Sequence, residues 1–231
     1  MISIIYQFIK KYNLIVARWP NIILLVNFHW RLGMTTQVPH LFGSHQNAYT
    51  GANEIAQMND RTIIDVTGSA ALPYLQTLIS SDVRHLTVPG MGLRCTAKVN
   101  GNEIALELYY FTELAFRIFV DNDIAPALVA ALSEGEESHD IDVITRNDLR
   151  ILAVRGDNAF KTVLSEFALT PGIILTGEQQ RYARQAGNVF LTATHLKSHK
   201  GFELVAKSDE LAKWQSRFNA LGFSEQTELT V

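Results

Sequence analysis

The chain has 231 residues, of which 47% are hydrophobic and 19% are charged, and its formal net charge is −3. This composition is typical of a globular protein and excludes a disordered chain, a collagen-like repeat and a coiled coil. Because the net charge is slightly negative, we expect no nucleic-acid partner. Cys95 is the single cysteine. A lone cysteine excludes an internal disulfide and a multi-cysteine metal site, and it favours a reducing cytoplasm.

The first part of the chain is hard to assign to a domain. It carries two apolar runs, Ile2–Ile9 and Ile22–Val26, with lysine, arginine and proline between them. Neither run approaches the roughly 20 apolar residues of a spanning helix, and the charges do not precede the run as in a secretory signal, so we expect no membrane span. Two interpretations stay open: an amphipathic extension, or translation that begins at Met34. We assign residues 1–52 to an N-terminal extension and loop. The polar loop is predicted over residues 33–59 and so continues past this boundary.

Two segments of the chain resemble each other. A short aliphatic run, a glycine and a helical pattern occur first around Gly68 and again around Gly156. Glycine permits a sharp turn out of a strand. Ser69 and Asp157 are predicted to cap the helices that follow. Because strand–turn–helix units are common, this similarity alone does not establish a duplication.

The remaining body is rich in predicted strands. The predicted strands are Gly92–Val99, Glu103–Thr112, Ala115–Val120, Ile141–Thr145, Gly187–Thr194 and Phe202–Ala206. Asn100-Gly101 predicts a tight hairpin. Helices are predicted over Asp123–Ser133 and, capped by Ser208, over Glu210–Leu221, with an acidic loop at 134–137. Strands in runs with interspersed helices indicate an α+β fold with antiparallel sheets flanked by helices.

Few side chains suggest chemistry on their own. His195 and His199 have a spacing that can serve a metal on a helix, but they lie between two predicted strands, which favours a solvated turn and no metal site. Cys95 lies in the middle of a strand and is expected to be at least half-buried and unreactive. Glu203 lies in an otherwise apolar strand. Its carboxylate could lie on the outer face or point into a pocket, where it could accept two N–H groups from a planar heterocycle.

Four motifs together resemble one known family. They are Thr62–Gly68, Tyr109–Glu113, Arg146–Leu149 and Ala153–Ala159. In this order and at this spacing they are similar to the glycine-cleavage T-protein (aminomethyltransferase) family, within the wider tetrahydrofolate-binding T-protein-like superfamily. The similarity runs over about residues 53–221.

The resemblance implies a T-protein-like folate-binding fold and transfer of a one-carbon unit to tetrahydrofolate. It implies two subdomains within residues 53–231, about 53–145 and 146–231. It places Glu203 at the pterin-binding glutamate of the family and implies that Tyr110 also contacts the folate.

The departures from the family pattern are equally informative. Ile104 and Ala105 stand where the family has two aspartates, the first of them catalytic, and neither side chain can accept a proton. The sequence also ends near the point where the family continues into its C-terminal domain. We therefore predict a catalytically degenerate tetrahydrofolate-binding protein of one-carbon metabolism with no catalytic residue. One alternative is an active aminomethyl- or methyltransferase that uses substituted residues. The other is an accessory subunit of a sarcosine-oxidase-like amine oxidase. The expected partners are folate and a protein of a one-carbon or amine-oxidising complex.

Overall fold

The computed structural model describes residues 14–19, 22–27, 51–136, 138–169, 180–196 and 199–226. The strands of this part are β1 (Leu14–Trp19), β2 (Ile22–Asn27), β3 (Glu54–Met58), β4 (Arg61–Thr67), β5 (Met91–Val99), β6 (Asn102–Thr112), β7 (Ala115–Asp121), β8 (Asp142–Thr145), β9 (Leu149–Arg155), β10 (Gln180–Ala186), β11 (Val189–Leu196), β12 (His199–Lys207) and β13 (Ser224–Glu225). The helices are α1 (Ala71–Leu78), α2 (Ala125–Glu136), α3 (Ala159–Glu166) and α4 (Ser208–Ala220), with a short 3-10 turn at Val83–His85.

The chain divides into two units, residues 1–46 and 47–231. In the first unit, β1 and β2 form a two-stranded antiparallel sheet in which Leu14 pairs with Asn27. The apolar run Ile22–Val26 therefore lies in a strand, whereas the run Ile2–Ile9 falls outside the described residues.

The second unit contains one eleven-stranded sheet, in the order β13-β3-β9-β12-β11-β10-β5-β6-β7-β4-β8. Each neighbouring pair in this sheet is antiparallel except β13 and β3, which are parallel. The α+β class predicted from the sequence is confirmed.

The sheet bends so that two runs of strands pack face to face. The first run is β5-β6-β7-β4-β8 and the second is β10-β11-β12-β9-β3-β13. Buried side chains from both runs share one apolar cluster, which consists of Met58, Ile63, Tyr109, Phe119, Ile151, Ala153, Phe190 and Val205. The rings of Phe119 and Phe190 stack across this layer with centroids 6.2 Å apart. We call it the central layer.

Helices cover the opposite face of each run. Helices α1 and α2 pack on the first run around Leu75, Leu128 and Leu132. Helices α3 and α4 pack on the second run around Val163 and Phe218. Since successive side chains in a strand point to opposite faces, each strand contributes one set of residues to a helix-covered core and the other set to the central layer.

Several local predictions differ from the structure. Neither Ser69 nor Asp157 caps a helix: α1 and α3 have Ala70 and Asn158 at their N-caps, without a side-chain cap. Ser69 instead donates to a carboxylate oxygen of Asp140, because that loop lies directly beside the turn.

The extent of several elements also differs from the sequence prediction, and some strands were not predicted. Ser208 is the first residue of α4, not its cap. The predicted acidic loop is helical through Glu136, and the predicted loop over 33–59 contains strand β3. Strands β10 and β13 were not predicted, since their sequences QRYARQA and SE carry little apolar alternation.

Candidate functional site

Glu203 is a buried carboxylate inside the protein. It lies on β12 between apolar neighbours, and only 1% of its surface is exposed. Alternation along β12 places it on the same face as Val205, which belongs to the central layer. Thr192, directly opposite on β11, donates its hydroxyl to Glu203 Oε2 at 3.3 Å. The open alternative, an exposed carboxylate on the outer face of the strand, is therefore excluded.

Arg61 holds Glu203 from the other run of strands. Arg61 Nη1 donates to Glu203 Oε1 at 3.0 Å and to Glu203 Oε2 at 3.3 Å. Its Nη2 lies 3.5 Å from Glu107 Oε2, and Tyr109 donates its hydroxyl to the same oxygen at 3.0 Å. The guanidinium also lies over the ring of Phe119, 5.4 Å from the centroid. One arginine thus links two carboxylates, and we call Arg61, Glu107, Tyr109 and Glu203 the acid–arginine cluster.

Burial and charge oppose each other in this cluster. Burial raises the pKa of Glu203 above its usual value, and the cation of Arg61 only partly offsets that effect. Burial alone would lower the pKa of Arg61, but the carboxylates of Glu203 and Glu107 raise it overall. Burial also raises the pKa of Tyr109 well above 10, and Glu107 adds to that shift. Arg61 and Tyr109 therefore keep their protons throughout the physiological range.

Tyr110 lies on the other face of its strand. Whereas Tyr109 belongs to the central layer, Tyr110 is 7% exposed and belongs to the core beneath α1 and α2. Its ring contacts Phe116 edge-on, with centroids 5.5 Å apart. The structure does not bring Tyr110 and Glu203 together, because the alternation along β6 sends neighbouring tyrosines into different layers.

The two positions that replace the aspartates of the family also separate. Ile104 is 5% exposed and lies in the core beneath the helices. Ala105 is exposed, and strand alternation places it on the same face as Glu107 and Tyr109. Of these two positions, Ala105 therefore shares a face of β6 with Glu107 and Tyr109 of the acid–arginine cluster, and Ile104 does not.

A second ion network joins β4, β7 and the turn between β8 and β9. Arg117 donates to both oxygens of Asp65, at 2.7 and 2.9 Å, and Arg146 donates to Asp65 at 2.6 Å. The guanidinium of Arg117 lies 5.2 Å from the ring of Phe111 and 5.0 Å from that of Phe190. These contacts anchor the turn before β9 to the centre of the first run.

Sequence reasoning missed the importance of Arg61. The available signal was its place at the start of an apolar strand, two residues before Ile63 and therefore on the same face. The partner of Arg61 could not be identified in that way, since Glu203 follows 142 residues later.

A small pocket opens beside the acid–arginine cluster. Its volume is about 170 Å³, and it lies where the turn between β3 and β4 meets the turn between β8 and β9. Its polar lining includes Arg61, Arg146, Arg150, Asn59, Asn122 and Asn147. Arg61 therefore belongs both to the wall of this pocket and to the cluster behind it.

The other candidates from the sequence have simpler settings. Cys95 is buried, as predicted, and burial raises the pKa of its thiol to about 12. In the β11–β12 pairing, His195 is opposite Lys200 and His199 is opposite Leu196. The side chains of the two histidines are not among those that the structure describes.

In the part of the chain that the structure describes, no group of three or more histidine, cysteine or acidic side chains could hold a metal ion. No helix in that part is both long enough and apolar enough to cross a membrane.

Comparison with known proteins establishes the fold. The chain matches no protein-family model. It is similar to the glycine cleavage system aminomethyltransferase T from Bartonella henselae, with a TM-score of 0.59 and 20% sequence identity. The match covers 90% of this chain and 55% of the other, so the chain spans about half the length of that protein.

Two further solved structures are less similar. A chain of the heterotetrameric sarcosine oxidase from Corynebacterium sp. U-96 has a TM-score of 0.48 and 15% identity, covering 71% of this chain and 80% of that one. Aspartate kinase from Synechocystis has a TM-score of 0.40 and 10% identity, covering 78% of this chain and 28% of that one. At these levels the first likeness shows the fold alone, and the other two are too weak to show even that. The protein has a T-protein-like α+β fold.

Proposed function

We propose that this chain is a tetrahydrofolate-binding protein on a T-protein-like fold, without aminomethyltransferase activity. The observation that carries the proposal is the buried carboxylate of Glu203, which faces the central layer at the position where the resemblance implies the pterin-binding glutamate. The likeness of the fold over 90% of the chain supports that correspondence.

The chemistry of Glu203 suits the edge of a pterin ring. A pterin presents adjacent N–H groups in one plane, and a carboxylate can accept two of them at once. Arg61 already supplies a planar N–H donor to both oxygens of Glu203. In a buried site, a charge-assisted hydrogen bond of this kind contributes about 1.5–3 kcal/mol.

Folate binding at Glu203 requires Arg61 to change partner. The arginine and a pterin would compete for the same two oxygens. Oε2 of Glu107 lies 3.5 Å from Arg61 Nη2, so a second carboxylate is close enough to pair with the guanidinium. A shift of Arg61 towards Glu107 would free Glu203 while leaving both buried charges compensated, which limits the free-energy cost of the exchange.

The absence of transfer activity follows from positions 104 and 105. Neither Ile104 nor Ala105 can orient an amine or accept a proton. We propose that any partner of the protein in a one-carbon or amine-oxidising complex supplies the reacting groups. Tyr110 is left out of the proposed folate site because its ring is enclosed in the core beneath the helices.

Titration with tetrahydrofolate and its methylene form, without oxygen, tests the proposal. Wild type is expected to bind, and Glu203→Gln is expected to bind at least tenfold more weakly, which corresponds to about 1.4 kcal/mol. Glu103→Gln is the matched control, since this exposed glutamate lies in the same sheet and is expected to leave affinity unchanged. Thermal unfolding of each variant shows that it is folded.

Two results would overturn the proposal. If the folded wild type did not bind tetrahydrofolate, the proposed ligand would be wrong. If Glu203→Gln bound it with the affinity of wild type, the proposed site would be wrong. For the missing activity, the glycine-cleavage partial reaction with a lipoyl carrier protein is the assay. Turnover in the usual enzyme range of about 1 to 10³ per second would contradict a degenerate protein.

A further inference from the structure

The pocket between the two turns has a cationic wall. Among the residues that the structure describes, three arginines line it, namely Arg61, Arg146 and Arg150, and no acidic side chain does. The carboxylates that neutralise two of these arginines do not line the pocket. A ligand in this pocket would therefore contact guanidinium and amide groups.

The three arginines are held in different ways. Arg61 pairs with Glu203 inside the cluster. Arg146 donates to Asp65 and, through Nε and Nη2, to Asp148 at 2.8 and 2.9 Å. Their guanidinium groups are thereby fixed in place, which lowers the ordering cost of binding a further partner.

Arg150 differs from the other two arginines. Its Nη1 donates to the carbonyl oxygens of Asn147 and Leu149, each at 2.7 Å. These contacts orient the side chain but bring no negative charge to it. A guanidinium has five N–H donors, so an arginine held through one nitrogen by neutral carbonyls retains charge and donors for an anion.

We propose that this pocket is a binding site for an oxyanion, that is, for the carboxylate or phosphate group of a small molecule. Guanidinium groups match both of these groups in geometry and charge. The amide of Asn147, on the rim, adds a neutral hydrogen-bonding group. The volume of about 170 Å³ admits a small ligand or one end of a larger one. This site goes beyond the proposed folate binding, because it uses a different set of side chains and shares only Arg61.

Calorimetric titration of the full chain with inorganic phosphate and, separately, with succinate tests the site. Ionic strength is held constant with chloride in an amine buffer, since phosphate also stabilises proteins without binding to a site. Saturable binding of one anion per chain is expected. Arg150→Gln is expected to weaken it at least tenfold. Arg84→Gln is the control, since this arginine is exposed like Arg150 but lies outside the pocket, where it pairs with Asp82.

A second variant guards against a failure to fold. Asn147→Asp changes an exposed residue and places a negative charge on the rim, so it is expected to abolish binding while thermal unfolding stays close to wild type. Tighter binding of phosphate identifies a phosphate-bearing ligand, and tighter binding of succinate identifies a carboxylate. Either result supports the site.

Three outcomes would overturn it: no saturable binding of either anion, unchanged binding in Arg150→Gln, or equal weakening in Arg84→Gln. Neither probe contains a pterin, so failure here leaves the folate proposal standing, and failure of folate binding leaves this site standing.

Discussion

Gly68 and Gly156 occupy equivalent positions in the two runs of strands. Gly68 follows β4 with φ +124°, and Gly156 follows β9 with φ +117°. A helix begins three residues later in both cases. From these glycines onward, the described residues of both halves follow the order helix, three antiparallel strands, helix, short strand. The similarity seen in the sequence therefore corresponds to a repeated structural unit.

Replacing either glycine with alanine is expected to destabilise the protein by at least about 2 kcal/mol, because left-handed backbone strain and a steric clash add together. A Cβ at Gly68 would lie 2.2 Å from the carbonyl oxygen of Asp140, and one at Gly156 would lie 2.6 Å from that of Ala52. Urea unfolding followed by tryptophan fluorescence measures the loss. Gly187→Ala is the control, with φ +59° and no atom within 4 Å of the new Cβ, and is expected to cost about 1 kcal/mol. Equal losses in all three variants would show that the clash contributes nothing.

The acid–arginine cluster predicts a pH dependence of stability. Burial raises the pKa of Glu203 above its usual 4.5, so the folded protein holds this proton more tightly than the unfolded chain. The stability contributed by this group is complete below the unfolded pKa and is lost as pH rises through the folded pKa. The free energy of unfolding of wild type relative to Glu203→Gln should therefore fall as pH rises from about 4.5. An opposite slope would mean that Arg61 outweighs burial.

Arg61→Met tests the same cluster from the other side. Without the cation, Glu203 is left buried with its charge uncompensated, and the expected cost near neutral pH is about 3–5 kcal/mol. That cost should shrink towards acidic pH, where the carboxyl is protonated. Unfolding measured at several pH values checks this expectation, and Arg84→Met, at an exposed arginine, serves as the control.

Adjacent substitutions on β6 should have very different effects. Ala105→Asp adds a carboxylate at an exposed position and is expected to change stability by no more than about 0.5 kcal/mol. Ile104→Asp places one in the core beneath the helices and is expected to cost at least about 3 kcal/mol. Unfolding curves of the two variants are the measurement. A large loss in Ala105→Asp would contradict the face assigned to that position.

Cys95 is expected to be inert in the folded protein. It is buried, and burial raises the pKa of its thiol to about 12, so the reactive thiolate is scarce at pH 8. A colorimetric thiol reagent should react at least about a hundredfold more slowly with the folded protein than with the urea-unfolded chain, in which one thiol should titrate. Fast labelling of the native protein would show that the strand opens locally.

Local sequence patterns determined the elements whose stability is itself local. The Asn100-Gly101 turn, strands β5 to β7 and helix α4 follow from turn chemistry and from alternation within single segments. The short strands β3 and β13 could not be predicted, because β13 is defined by its pairing with β3, and β3 by its pairing with β13 and β9, far away in the chain.

The candidate site was decided by the tertiary structure. Sequence reasoning selected Glu203, but it left open whether the carboxylate faces solvent or a pocket, and it paired the glutamate with Tyr110. Which face of β6 joins which core depends on how the two runs of strands pack, and that packing brings Arg61 to Glu203 across 142 residues. The physical reason is that periodicity along one segment encodes which side chains share a face, whereas the partner that covers that face is set by the free energy of burying the whole sheet.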